Sequence, residues 1–75
     1  RKNMISVTVI QRDAAIVVLR GVADGHPELT FTSTLDTAAI AADPGLLAER
    51  RDLIYARLTT QLDNWTAAQA AIANL

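Results

Sequence analysis

An α+β fold is predicted by two runs of apolar and polar alternation and a continuous β-branched run before residue 36, and by a long helical periodicity after residue 44. The expected architecture is an N-terminal antiparallel three-stranded meander, a short helical turn and one long C-terminal amphipathic helix. Seventy-five residues make one domain, read as a meander over 4–35, a short helix or turn over 36–42 and the long helix over 44–74.

The first strand rests on Ile5, Val7 and Val9, which alternate with Ser6 and Thr8 in the period-2 pattern of a half-buried strand. Gln11-Arg12-Asp13 supplies a polar turn. Ala14 to Leu19 is nearly continuous apolar sequence, and a second strand is expected there, ending around Arg20-Gly21. Asp24-Gly25-His26-Pro27 reads as punctuation. In the third strand Leu29, Phe31, Ser33 and Leu35 alternate with Thr30, Thr32 and Thr34, giving one apolar face and one threonine face. The threonines follow from β-propensity on a solvated side. Ile16 and Val18 point opposite to Val17 and Leu19, so one helix covers only one of two apolar faces.

Asp36 heads an alanine-rich stretch suited to a short helical turn. Asp43-Pro44 is a stronger start signal, because an aspartate oxygen accepts orphan amides and proline at the first helical position has no donor to waste. At 100° per residue Leu47, Ile54, Leu58, Leu62, Trp65 and Ile72 share one sector, with Glu49, Asp52, Thr59 and Asp63 opposite. Seven-residue spacing gives an imperfect coiled-coil pattern: Leu47, Ile54, Gln61, Ala68 and Leu75 on one seam, Arg51, Leu58, Trp65 and Ile72 on the other. A continuous helix of this length extends ~45 Å, well beyond the ~30 Å diameter of a compact chain this size. The helix is expected either to outrun its sheet or to break near Thr59–Asn64, and continuity is favoured.

Charge and composition bound the function. A net charge of −1 and a pI near 5.6 provide no field to attract phosphate backbones, so no nucleic-acid partner is expected. No apolar run approaches the ~20 residues of a membrane span. Arg1-Lys2 before MISVTVI resembles the opening of a signal peptide, but Ser6 and Thr8 interrupt the apolar run, and a cytoplasmic or particle-associated protein is expected rather than a secreted one. Cysteine is absent, so disulfides and thiolate metal sites are excluded. Asp24, His26 and Glu28 have a spacing that an extended chain could turn to one side, yet Gly25 and Pro27 interrupt it and no second histidine exists, so a solvated loop is expected. With no nucleophile motif and no phosphate-binding glycine pattern, no catalytic residue, metal or cofactor is expected, and the chain reads as a non-enzyme.

The remaining signal is the arginines. Arg50 and Arg57 share one edge of the apolar stripe and Arg51 lies on the other, with no acid three or four residues away to pair with them. A tryptophan flanked by arginines is typical of interface hot spots. Arg50, Ile54, Arg57, Leu58, Trp65 and Ile72 are therefore the expected interface, serving a small structural or assembly protein that self-associates or docks on a larger partner, such as a virion or other multi-subunit particle. An enzyme inhibitor and a nucleic-acid-binding regulator are the alternatives.

Overall fold

The computed structural model describes residues 4–75; Arg1 and Lys2, whose charges suggested a signal-peptide opening, lie outside them. Strand β1 (Ile5–Arg12), β2 (Ile16–Ala23) and β3 (His26–Asp36) form one antiparallel sheet in the order β1-β2-β3. Helix α1 (Thr37–Ala42) and the 29-residue α2 (Gly45–Ala73) follow.

The turn between β1 and β2 is built by one side chain. Asp13 Oδ1 accepts the backbone N–H of both Ala15 and Ile16, each at 2.8 Å, and its Oδ2 accepts from Gln11 Nε2 at 3.1 Å. These donors, led by the Ile16 amide and then Gln11, hold the Asp13 carboxyl below its ordinary value of 3.8. The turn is also tied to α1: Thr37 donates its hydroxyl to the Asp13 carbonyl and its amide to the Ala15 carbonyl, both at 2.9 Å. Between β2 and β3 the chain reverses at Asp24-Gly25, where Gly25 takes φ +80°, a conformation that costs glycine little.

Several strand boundaries differ from expectation. Strand β1 runs on through Gln11 and Arg12, expected in the turn, where they pair with Val18 and Val17, and β2 starts at Ile16 rather than Ala14 because Ala14 and Ala15 belong to the turn that Asp13 builds. Chain pairing continues through Gly21 to Ala23, so Gly21 lies inside β2. Strand β3 starts at His26, with the register shifting between Val22 and Ala23. Pro27 is tolerated because β3 is an edge strand and its missing N–H breaks no obligatory ladder. The opposite edge, β1, carries a bulge between Val9 and Gln11, a device that twists an exposed edge away from foreign strands.

Register puts Val7, Gly21 and Phe31 abreast beneath α2, with Val9, Leu19 and Ser33 in the next row. The core is Ile5, Leu19, Leu35, Ile54 and Leu58. Gly21 sets the closeness of helix to sheet: a Cβ there would overlap Ile54 Cγ2 and sit 2.9 Å from Leu58 Cδ1. The outer face pairs Thr8, Arg20 and Thr32 in one row, and only Val18 on it is buried. That face is rich in hydroxyls; its apolar residues Ile16 and Val22 are half-buried, while Ile10, at the β1 bulge, is 53% exposed.

Helix α2 begins at Gly45, one residue later than expected, with Pro44 in the cap position; Asp43 still serves the start, its Oδ1 accepting the Gly45 N–H at 3.2 Å and its carbonyl accepting from Leu46. Asp36 makes no side-chain cap at α1. Helix α2 runs without a break through Thr59–Asn64. At ~1.5 Å per residue it reaches ~43 Å, whereas an eight-residue strand reaches ~26 Å. The molecule is accordingly elongated, 52 × 19 × 19 Å.

Candidate association surface on the C-terminal helix

The first half of α2 spends its apolar stripe on the chain's own sheet. Ile54 and Leu58 are 0% exposed, and Leu46, Leu47, Tyr55 and Leu62 pack around them. Ile54 and Leu58, expected at an interface, thus offer no surface to a partner: they are the residues that seat against Gly21. They do share one stripe, but nothing in a helical period tells an internal partner from an external one.

The arginines also turn inward or sideways. Arg50 Nη1 donates to Ser33 Oγ at 2.7 Å, meeting the only buried polar side chain among the described residues. Arg57 lies over the Phe31 ring, 5.0 Å from its centroid, in a cation–π contact with the chain's own β3. Arg51 pairs with adjacent Asp52 at 3.2 Å, both exposed, an arrangement of little energetic weight. None of these partners is an acid at helical spacing: two lie on the sheet and one is the next residue.

Asp24 is engaged apart from His26 and Glu28. Asp24 Oδ1 accepts from Ser6 Oγ at 3.1 Å, and His26 Nδ1 lies 3.7 Å from Glu28. The His26 ring meets Trp65 with centroids 4.5 Å apart and planes tilted by 56°. The sheet therefore reaches Trp65, further along the helix than its length suggested. Trp65 nevertheless remains 41% exposed.

Beyond this contact the helix stands clear of the sheet. Every residue from Asp63 to Leu75 is exposed, including Ile72 at 56%. From Asn64 to Leu75 there is no charged side chain. Trp65, Ala68, Ile72 and Leu75, at 3-4-3 spacing, fall on the side of α2 that faces the sheet in its first half. A second apolar feature is a shallow groove of about 390 Å³ between β1 and the start of α2, lined by Val7, Val9, Leu19, Leu47 and Ala48 with Arg51 at its rim.

No described helix is long and apolar enough to cross a membrane. Neither a protein-family model, nor a curated protein, nor a solved structure matches this chain.

Proposed function

We propose that this chain is a small non-enzymatic structural or assembly protein, a component of a multi-subunit particle, whose association surface is the free part of α2 from Trp65 to Leu75. The carrying observation is that every residue of Asn64–Leu75 is exposed and none is charged. A helix that remains in water generally carries charged residues around its free faces, which keep it soluble and add pairs three or four residues apart. Here the free segment offers a tryptophan, an isoleucine and a leucine on one line with small residues between them. Such a face gains by being covered, at ~25 cal/mol per Å² of apolar surface removed from water.

Of the expected interface set, Trp65 and Ile72 carry this reading. Arg50 and Arg57 support it indirectly, by anchoring the first half of α2 to β3 while the second half projects beyond the sheet. A photo-crosslinking residue placed at position 72 in the cells that make the protein tests it. Discrete protein adducts, lost on replacing Trp65 and Leu75 with serine, are expected; a crosslinker that reacts only with water contradicts an association role.

A further inference from the structure

We infer that the occupant of this face is a second copy of the same segment, running antiparallel across a two-fold axis at the level of Ala70. The inference rests on the association role proposed above and specifies its partner. The seam Trp65, Ala68, Ile72, Leu75 is self-complementary in the antiparallel sense: Trp65 meets Leu75 of the partner copy and Ala68 meets Ile72 of the partner copy, and the axis generates the reciprocal pairs. Ile72 thus fills the space left by an alanine, the large-on-small alternation that well-packed helix pairs need. A parallel pairing sets Trp65 against Trp65 and leaves Ala68 against Ala68, a bulge beside a void.

Charge and shape favour a copy as occupant. The flanking positions Asn64, Gln69 and Ala71 are neutral, so two copies meet without like-charge repulsion. Residues 65–75 span ~15 Å, and in the antiparallel overlap each folded body lies beyond the opposite end of the shared segment. The projecting part of each helix separates the two sheets, so the bodies do not collide. Leu75 of each copy then arrives beside Trp65 at the end of the other's sheet, in the corner that the His26 ring leaves open.

With Trp65 41% and Ile72 56% exposed and Ala68 small, the overlap removes about 300–400 Å² per copy, a total well below the ~1,200 Å² of standard stable interfaces. An overlap of this size makes a weak, reversible dimer.

The absence of native cysteine makes the test direct. Chains carrying Ala68→Cys and chains carrying Ile72→Cys, distinguished by mass, are mixed under mild oxidation at ~200 µM, with each variant alone as a control. The expected product is the mixed Ala68→Cys/Ile72→Cys disulfide dimer, formed at least ~10-fold faster than either self-linked dimer. Preferential self-linking of Ala68→Cys would show parallel pairing and overturn the inference. Equal slow linking of all combinations, with the wild type monomeric at ~1 mM, would overturn it too; discrete crosslinks from position 72 to another protein would then leave the association role standing.

Discussion

Replacing Gly21 with alanine tests whether helix-to-sheet distance is set by that glycine. The new Cβ enters the volume of Ile54 Cγ2 and approaches Leu58 Cδ1 at 2.9 Å. Ile54 is β-branched, helical and fully buried, so its methyl group has few alternative rotamers and α2 must lift or tilt. Overpacking of this kind costs ~1–3 kcal/mol, while removing the glycine's unfolded-state freedom returns ~0.4–1 kcal/mol. A net loss of ~1–2 kcal/mol is expected, equivalent to a fall in melting temperature of roughly 5–15 °C for a domain of this size. Thermal and urea denaturation followed by circular dichroism measure it. Combining Gly21→Ala with Ile54→Ala, which removes the obstructing methyl, should destabilise less than the sum of the single changes by ~1 kcal/mol or more. A Gly21→Ala chain as stable as wild type, or strict additivity in the double variant, would refute the packing account.

Arg50→Met should destabilise by about 1–3 kcal/mol, because it leaves the Ser33 hydroxyl buried without its charged donor; chemical denaturation of Arg50→Met beside Ser33→Ala measures this, and the single serine change should cost less. Asp13 gains stability from a lowered carboxyl pKa, so its contribution is present above pH 3.8 and disappears as pH falls through the lower folded-state value. The melting-temperature difference between wild type and Asp13→Asn should therefore be largest near neutrality and shrink below pH 3.8. His26→Ala should shift Trp65 emission to longer wavelength in the monomer, since it removes the ring that covers one side of the indole. Duplex DNA should not bind appreciably at ~150 mM salt, and a fluorescence-anisotropy salt series checks this.

Much of the fold is legible because local signals agree with one another. Alternation at Ile5–Val9 and Leu29–Leu35 and the Asp43-Pro44 start each correspond to an observed element. The misplaced boundaries have physical causes. Gly21 looks like a strand breaker from sequence, but a side-chain-free position was required where Ile54 and Leu58 press closest. Pro27 looks like a loop residue, but an edge strand accommodates it. Asp13 was legible only as a polar turn residue, although an aspartate that can accept the amides two and three residues on is a recognised turn builder.

The site was less legible than the fold. Helical periodicity groups Ile54, Leu58, Trp65 and Ile72 on one line without saying where the sheet ends beneath them. The structure divides that line at Trp65, giving Ile54 and Leu58 to the core and leaving Ile72 free. The sequence clue to the division was the disappearance of charge after Asp63, a feature that angular counting does not weigh.

Sedimentation velocity of wild type and Ile72→Glu from ~5 µM to ~1 mM tests the association surface most directly. Ile72 is outside the core, so the substitution leaves the fold intact, verified by an unchanged circular-dichroism spectrum. The wild type should pass from 8.1 kDa monomer towards twice that mass, with Ile72→Glu weakened ~10-fold or more. A wild type that sediments as monomer throughout, or an Ile72→Glu chain that associates as well as wild type, would contradict self-association through the free segment of α2.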